Sequence, residues 1–549
     1  MANETFDIAI IGAGVTGCGA ALDAASRGLS VALIDQRDFA SGTSSRSSKL
    51  IHGGLRYLEQ RHFSLVREAR HEQALLLTRL CPHLVRPVSF LFPLSHRIWE
   101  RLYMGAGVWL YDRLAGRPVL PRHRHLSRSA VMREFPALRG DTLVGGIQYY
   151  DAQVDDARHT MMLARTAALH GAAVATSVRA VGFAKDGGRV RAVRARCLET
   201  GGDLEISARQ IINATGVWTE RVHGMAGGGH IRVRASKGIH LLVPRQRIRL
   251  NGGLILRTRT SVLFVIPWYE HWIIGTTDTG WDLDLDHPAA SRADIDYLLT
   301  TLNGALADPL GHADIVGVYA GLRPLLYGED DATSKLSREH AVSTADSGLI
   351  SVAGGKYTTY RIMAKDAVDV AASRLGASVS RCRTDQLPLL GSGGFPACRA
   401  RCVELAREFG LSENCVERLL DRYGSLTLEL FASIADRPDL AERLEGGGGY
   451  LRAEALYAAT HEGALHLDDL LTRRTRISIE TQDRGLRAAE AVCGLVAETL
   501  GWNLEARERE LSHYRARVAA ERESQEQRDD RTADAARLGA PDVRTSGRA

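Results

Sequence analysis

Three glycines and an aspartate near the N-terminus have the types and spacing that bind a dinucleotide. The segment reads Asp7-Ile-Ala-Ile-Ile-Gly12-Ala-Gly14-Val-Thr-Gly17, and Asp35 closes the next apolar run. Gly12 permits a tight turn, Gly14 lets the backbone approach a pyrophosphate, and Gly17 allows a helix to pack closely on a strand. Asp35 would accept hydrogen bonds from ribose hydroxyls. The pattern predicts phosphates bound at a helix N-terminus.

The elements that must hold this motif read as a βαβ unit. Residues 8–11 and 31–34 are short apolar runs typical of buried parallel strands, and residues 20–26 between them are helical in pattern. A loop rich in serine and threonine follows at residues 41–48 and suits phosphate or ring contacts. Buried-strand patterns return only at residues 210–218 and 348–355. The nucleotide domain is therefore predicted to be discontinuous in sequence.

The remaining patterns predict two further domains and a tail. Strand-like runs at residues 239–243, 262–267 and 271–275 fit an antiparallel substrate sheet, and helical patterns dominate after residue 396. The last residues are charged and nearly free of large apolar side chains, which is typical of disorder. The predicted boundaries are 1–90, 145–235 and 346–378 for the nucleotide domain, 91–144 and 236–345 for the substrate domain, 390–518 for a helical C-terminal domain, and 520–549 for a disordered tail.

Bulk properties narrow the class of protein. A chain of 549 residues is too long for one core. The formal charge of +5 is too mild to indicate nucleic-acid binding, although it suits weak attraction to an anionic membrane. The eight cysteines form no CxxC pair or metal-ligand spacing, which predicts a reduced cytoplasmic protein. With no secretory signal and no apolar stretch of about 20 residues, a soluble or peripheral protein is expected.

A nucleotide fold alone does not distinguish NAD from FAD. An NAD dehydrogenase normally continues with βαβ repeats, whereas here the polar loop leads into Lys49-Leu-Ile-His-Gly-Gly-Leu-Arg-Tyr57. With this segment, the chain resembles the FAD-dependent glycerol-3-phosphate dehydrogenases, within the amino-acid-oxidase-like flavoproteins. The matching stretches, in chain order, are residues 47–59, 154–158, 264–268, 274–278, 321–324 and 354–361, with 473–475 matching in the C-terminal domain. The calcium-binding extension of the mitochondrial relatives is missing, so the resemblance is to the bacterial type.

The resemblance implies an α/β fold with an FAD-binding Rossmann-like domain, an antiparallel-sheet substrate domain and a helical C-terminal domain. It also implies oxidation of sn-glycerol 3-phosphate to dihydroxyacetone phosphate, with electrons passed to a quinone. The residues suit that chemistry, because oxidising a secondary alcohol requires a hydride acceptor, a proton acceptor and cations for an anionic substrate. Arg56, Arg323 and Lys356 are the predicted cations. Whether Lys356 serves the phosphate or the negative charge at flavin N1 is left open.

Two histidines are candidates for the proton acceptor. His52 comes first, because it lies in a glycine-flanked turn four residues before Arg56 and a neutral imidazole is available near neutral pH. His240 is the second. The predicted catalytic residues are His52, Arg56, Arg323 and Lys356, and the substrate contacts add Tyr57, Thr277 and His240. The predicted FAD contacts are Gly12, Gly14, Gly17, Asp35, Ser44, Ser47, Ser48, Lys49, His52, Val178, Ala214, Gly216, Gly355, Lys356 and Thr358.

No metal site is predicted. Residues 282–286 begin like a calcium loop, but His287 occupies the position that requires glycine and Ala293 the position that requires an acid.

The segment from Arg97 to Arg113 mixes Trp, Tyr and Arg with aliphatic residues, as helices at a membrane surface do. The alternative is an amphipathic helix packed inside the protein. Together with the basic C-terminal helices, this segment is where we expect contact with the inner face of the cell membrane.

The sequence leaves three rival functions open. They are an oxidase that delivers the electrons to oxygen and releases hydrogen peroxide, an NAD-linked dehydrogenase, and a non-catalytic flavin-binding sensor. The oligomeric state is also open, with a homodimer among the options.

Overall fold

The computed structural model describes residues 1, 4–55, 58, 62–96, 99–114, 119–258, 262–327, 340–376 and 378–544. The strands are β1 (Thr5–Ile11), β2 (Val31–Ile34), β3 (Leu50–Ile51), β4 (Val85–Leu94), β5 (Arg124–Ser127), β6 (Gly145–Val154), β7 (Ala173–Ala175), β8 (Val178–Asp186), β9 (Arg189–Cys197), β10 (Asp203–Asn213), β11 (Val233–Pro244), β12 (Gly253–Arg257), β13 (Val262–Trp268), β14 (His271–Gly275), β15 (Thr279–Trp281), β16 (Gly317–Leu326), β17 (His340–Thr344) and β18 (Ile350–Gly354).

The helices alternate with the strands in the first two thirds of the chain and then dominate. They are α1 (Val15–Ser26), α2 (Phe63–Leu75), α3 (Trp99–Leu114), α4 (Arg128–Glu134), α5 (Asp156–Leu169), α6 (Thr219–Ala226), α7 (Arg292–Asn303), α8 (Tyr360–Ala372), α9 (Phe395–Ala400), α10 (Cys402–Glu408), α11 (Glu413–Tyr423), α12 (Thr427–Asp436), α13 (Arg452–Thr460), α14 (Leu467–Asp469), α15 (Ile477–Glu480), α16 (Leu486–Val496), α17 (Leu504–Glu526) and α18 (Asp530–Leu538).

The first sheet carries the glycine motif. Its strand order is β17-β18-β10-β1-β2-β7, with β9 and β8 added beside β10. β1 runs parallel to both β10 and β2, and all of β2 is buried, as expected for a strand covered on both faces. The carboxyl ends of β1, β10 and β18 therefore meet at one edge of the sheet, where ligands bind in folds of this kind.

Close packing at this edge requires glycine. Gly12 has a φ of +105°, and a β-carbon at Gly17 would lie 1.8 Å from the carbonyl oxygen of Gly12. No side chain fits there, so α1 can start directly at the end of β1 only because both residues are glycine.

The second sheet is largely antiparallel and has the order β15-β11-β14-β13-β12-β4-β6-β3, with β16 beside β11 and β5 beside β6. Four strands depart from the predicted domains. β3, β6 and residues 85–90 of β4 were assigned to the nucleotide domain but lie in the second sheet. β17 was assigned to the substrate domain but pairs with β18 in the first sheet. Sheet membership depends on pairing between distant segments, such as Val85 with Val154, and short-range patterns do not encode it.

Buried ion pairs join the helical C-terminal region to the first sheet. The guanidinium groups of Arg473 and Arg474 contact both carboxylate oxygens of Asp38, just after β2, at 2.6 to 2.7 Å. Arg476 contacts Asp155 and Asp156 at 2.5 Å each. These pairs explain why the segment 473–475 lies beside the nucleotide motif, about 440 positions away in sequence.

The prediction of a disordered tail from residue 520 is wrong for the part that the structure describes. α17 continues to Glu526, α18 spans Asp530–Leu538, and Ala533 is fully buried. The guanidinium of Arg544 donates to Ser177 Oγ at 2.7 Å and to Asp469 at 2.8 Å. The composition predicted disorder because this segment has no apolar core of its own. It is ordered instead by small apolar residues and by ion pairs with other domains.

Candidate active site

A cavity of about 1170 Å³ is lined by residues of both sheets and includes the edge where β1, β10 and β18 end. It brings together residues from distant parts of the sequence. The predicted residues that line it are Gly12, Gly14, Asp35, Ser44, Ser47, Ser48, His52, Val178, Ala214, Gly216, His240, Thr277, Arg323, Gly355 and Lys356.

One end of the cavity combines a helix N-terminus with Asp35. Gly14 is the N-cap of α1, and Ser44 Oγ accepts a hydrogen bond from the backbone N–H of Val15 at 2.9 Å. The carboxylate of Asp35 accepts from the N–H of Ala13 at 2.7 Å and from that of Arg37 at 2.8 Å. Burial raises the pKa of Asp35, and these two N–H groups oppose the rise. The carboxylate is thereby held in one orientation at the cavity wall.

The other end carries cations and hydrogen-bonding groups. The guanidinium of Arg323, on β16, donates to Thr276 Oγ1 at 3.1 Å and to the carbonyl oxygen of Thr277 at 3.2 Å. It also lies 3.5 Å from Asp278. Lys356 directly precedes the 3₁₀ turn that leads into α8. Both cations line the cavity, so the structure can present positive charge to an anionic ligand there.

His52 lies in a turn held from both sides by one side chain. The hydroxyl of Thr358 accepts a hydrogen bond from the backbone N–H of His52 at 3.2 Å and is placed 3.1 Å from its carbonyl oxygen. Thr358 itself is not among the cavity-lining residues. Its role in the structure is thus to hold the His52 turn.

His240 is buried at the cavity wall. Its Nε2 lies 2.8 Å from Ser48 Oγ, and its ring stacks on Tyr319 with centroids 4.7 Å apart. Burial, together with the charges of Arg323 and Lys49, holds the pKa of His240 well below its usual value. The imidazole is therefore neutral and weakly basic.

Lys49 and Gly17 do not line the cavity, although both were predicted to contact FAD. The Lys49 ammonium is fully buried and donates to Asp156 at 2.8 Å and to the carbonyl oxygen of Ser45 at 3.2 Å. Asp156 also accepts from the N–H and the hydroxyl of Ser47. The Lys49 side chain thus orders the polar loop from behind. Gly17 acts only through the close packing of α1 on β1.

Arg56 and Tyr57 lie outside the described residues, so their predicted contacts with the substrate stay a prediction.

Several cavity-lining residues were not predicted. Trp218 donates from its indole nitrogen to Asp286 at 2.8 Å, and both line the cavity, as do Arg46 and Asp151. Trp218 follows the Ala-Thr-Gly turn at residues 214–216, which was a usable signal. Asp286 lies in the segment considered for calcium, and no local pattern marked Asp151, which lies in the middle of β6.

Comparison with known proteins identifies the family. The model of a family described as "FAD dependent oxidoreductase" matches residues 7–361, and one described as "C-terminal domain of alpha-glycerophosphate oxidase" matches residues 382–507. A glycerol-3-phosphate dehydrogenase from Mycobacterium leprae is 54% identical over 99% of this chain and 93% of its own length. The chain belongs to the FAD-dependent glycerol-3-phosphate dehydrogenase family. The human mitochondrial glycerol-3-phosphate dehydrogenase is 36% identical over 91% of this chain and 71% of its own length.

The predicted fold class and the prediction of FAD are confirmed. The crystal structure of glycerol-3-phosphate dehydrogenase from Bacillus halodurans complexed with FAD has 29% sequence identity and a TM-score of 0.79, over 94% of this chain and 95% of that one. FAD is therefore the cofactor of the present protein, and the NAD-linked alternative is wrong. The residues at the start of α1 fit FAD, because the absence of a side chain at Gly14 leaves space there for the phosphates. A β-carbon at Gly14 would lie 3.2 Å from Ser44 Oγ and fill that space.

Proposed function

We propose that the protein oxidises sn-glycerol 3-phosphate to dihydroxyacetone phosphate and passes the electrons to a membrane quinone. The observation that carries the proposal is that a single cavity joins the start of α1, a cationic end with His52, and the exposed aromatic helix α3. Bound FAD supplies the acceptor for the hydride of the substrate carbon.

The substrate phosphate is assigned to the cationic end of the cavity. Arg323 suits two-pronged recognition of phosphate oxygens, because its orientation is set by bonds to Thr276 and Thr277. Lys356, which also lines the cavity, adds a second positive charge. These two cations favour a phosphorylated substrate over uncharged glycerol.

The hydroxyl proton of the substrate is assigned to His52. A proton acceptor works best when its pKa lies near the operating pH. The pKa of His240 is held well below its usual value, so His240 is a poor acceptor. We therefore assign His240 to hydrogen bonding at the cavity wall.

The membrane and quinone parts of the proposal rest on α3. Trp99, Leu102, Tyr103 and Trp109 have exposed fractions of 56%, 69%, 52% and 53%, while Val108 and Tyr111 are fully buried. Such a face suits a helix lying in the headgroup region, with its aromatic side chains at the interface. None of the described helices has the length and apolar character needed to cross a bilayer.

The same helix lines the cavity through Tyr103, Met104 and Leu110, alongside Leu55, Phe63 and Phe92. An apolar acceptor could enter the cavity along this wall. The proposal includes contact with the inner face of the cell membrane, because the cysteine pattern predicts a cytoplasmic protein.

The test uses the purified holoenzyme without oxygen. We expect glycerol 3-phosphate to bleach the flavin absorbance and glycerol at the same concentration to leave it unchanged. A protein that glycerol 3-phosphate cannot bleach would be a sensor or scaffold, and the dehydrogenase proposal would fall.

The electron acceptor needs a separate measurement. We expect a soluble quinone analogue to reoxidise the flavin much faster than air-saturated buffer does. One peroxide released per substrate oxidised, with slow quinone reduction, would make the oxidase the correct function.

A further inference from the structure

The turn that carries His52 is held by a second, fully buried set of side chains. The backbone N–H of Gly53 donates to the hydroxyl of Tyr111 at 2.7 Å and lies 3.3 Å from the carboxylate of Asp151. The Tyr111 hydroxyl donates to the same carboxylate oxygen at 2.6 Å. Gln73 donates to that oxygen at 3.0 Å and to the carbonyl oxygen of Ile51 at 2.5 Å. The peptides on both sides of His52 are thus tied to one carboxylate.

The side chains of this network pack closely against the turn at Gly53. A β-carbon at Gly53 would lie 2.6 Å from the Tyr111 hydroxyl and 2.5 Å from Arg70 Cδ. The guanidinium of Arg70 covers the Tyr111 ring at 4.5 Å and donates to Gln73 Oε1 at 2.5 Å. The turn can pack this closely only because residue 53 is glycine. The position of the turn is therefore set by the position of the Tyr111 hydroxyl.

The charge and the donors around Asp151 offset the cost of burying its carboxylate only in part. Burial raises the pKa of Asp151, and the charge of Arg70 with the donors from Tyr111, Gln73 and Gly53 opposes the rise. A buried carboxylate with several donors is costly to disturb, because losing one donor leaves it less well compensated. The network therefore suits the precise placement of a neighbouring group.

We propose that Tyr111 and Asp151 are positioning residues that hold the His52 turn in the geometry needed to accept the substrate proton. This rests on the proposed role of His52. Neither residue was among those predicted to act, and neither has a pattern around it in the sequence that marks one. Tyr111 reaches the turn from α3 and Asp151 from β6, so the position of His52 depends on two elements outside the nucleotide motif.

The experiment is a double-mutant cycle on anaerobic flavin reduction by glycerol 3-phosphate. Tyr111→Phe removes only the hydroxyl, and we expect the reduction rate to fall about tenfold while FAD occupancy and KM change little. His52→Gln should lower the rate by about a hundredfold. Since Tyr111 acts through His52, the double variant should be about as slow as His52→Gln alone, whereas independent effects would multiply to about a thousandfold.

The matched control is Tyr514→Phe, which removes a buried hydroxyl that donates to the carbonyl oxygen of Arg484 at 2.7 Å in the C-terminal region. It should lower the melting temperature and leave flavin reduction unchanged. A Tyr111→Phe protein that melts earlier but reduces flavin at the normal rate would overturn the proposal, because the hydroxyl would then serve stability alone.

Asp151→Asn tests the same contacts if Tyr111→Phe does not fold, and it should slow flavin reduction in the same non-additive way. Multiplying effects in the cycle would overturn the positioning role and leave the role of His52 intact. A normal rate in His52→Gln would remove the proton-accepting role of His52 and, with it, positioning through that residue.

Discussion

At the scale of single residues, Gly14 controls how close a phosphate can come to the start of α1. A branched side chain there would meet Ser44 Oγ, which a β-carbon already approaches to 3.2 Å, and would extend into the cavity. We expect Gly14→Val to fold and to bind little FAD. Flavin absorbance per protein measures the occupancy.

Gly182→Val, where a β-carbon meets nothing within 4 Å, is the matched control and should keep its FAD. Full flavin occupancy in Gly14→Val would contradict the assignment of the phosphate path.

Arg323 is the residue that should distinguish a phosphorylated substrate from glycerol. Losing a two-pronged, charge-assisted contact costs about 2 to 4 kcal/mol. Arg323→Ala should therefore lower kcat/KM for glycerol 3-phosphate by on the order of a hundredfold or more. Steady-state kinetics with a quinone analogue measure this effect, and FAD occupancy should stay normal.

Arg323→Lys keeps the charge but not the planar pair of donors, so an intermediate loss is expected. If Arg323→Ala retained normal kcat/KM, the phosphate would have to lie elsewhere, with Lys356 or with Arg56 as the next candidate.

At the scale of secondary-structure elements, helix α3 presents two faces with different tasks. Its outer face exposes Trp99 and Trp109, and its inner face places Tyr111 beside the His52 turn. We expect Trp99→Glu combined with Trp109→Glu to reduce sedimentation with anionic vesicles by about tenfold, because a carboxylate opposes both burial and the surface charge. Anaerobic flavin reduction by substrate should stay normal.

Leu169→Glu is the control, since Leu169 has an exposed fraction of 70% and lies at the end of α5, for which no membrane contact is expected. A native protein that never sediments with vesicles at low salt would contradict the membrane assignment of α3.

A buried histidine joins α17 to the first sheet. Burial opposes the charged form of His466, but hydrogen bonds to Glu199 and Glu510 raise its pKa to about 9, from an ordinary value of 6.5. Because the folded pKa is raised, this stabilisation is full below about pH 6.5 and is lost as the pH rises through about 9.

The free energy of unfolding should therefore fall by on the order of 1 to 2 kcal/mol between pH 6.5 and pH 9. This is less than the full pKa shift would give, because Glu199 is partly exposed and solvent screens its interaction with His466. His466→Gln should flatten this part of the pH profile in denaturant titrations. An unchanged slope in that variant would mean that other groups cause the pH dependence.

At the scale of the whole molecule, the C-terminal clasp, residues 527–544, ties three regions together. Asp530 pairs with the buried ammonium of Lys237 on β11, Asp542 lies 3.5 Å from Arg37, and Arg544 pairs with Asp469. Arg37 in turn contacts Asp286, which lines the cavity near Asp35. The clasp also extends beyond residue 507, where the match to the C-terminal family model ends.

Ending the chain at residue 528 should lower the free energy of unfolding by about 2 kcal/mol or more, because buried charges lose partners. It should also speed the release of FAD, measured as the rise of flavin fluorescence on dilution. Arg292→Ala, which removes ion pairs with the exposed side chains of Glu526 and Asp296, is the control and should release FAD at the normal rate. Unchanged FAD release in the shortened chain would show that the clasp does not stabilise this end of the cavity.

The sequence by itself determined the nucleotide motif, the family and FAD as the cofactor. Gly12, Gly14, Gly17 and Asp35 are close in sequence, and the turn and βαβ unit that they build depend mainly on local backbone geometry. For the same reason α3 and seven of the strands were predicted near their observed positions, namely β1, β2, β10, β11, β13, β14 and β18. His52, Arg323 and Lys356, which line the cavity, were predicted as site residues because they belong to short matching stretches.

Only the tertiary structure decided which of these residues face the cavity and what holds them. Lys49 turns away to pair with Asp156, Tyr111 and Asp151 reach the His52 turn from α3 and β6, and the clasp is ordered by partners in other domains. Each of these contacts joins positions tens to hundreds of residues apart. The free energy that stabilises these contacts comes from pairing and burial between distant segments. It cannot be predicted from the local sequence pattern of one segment.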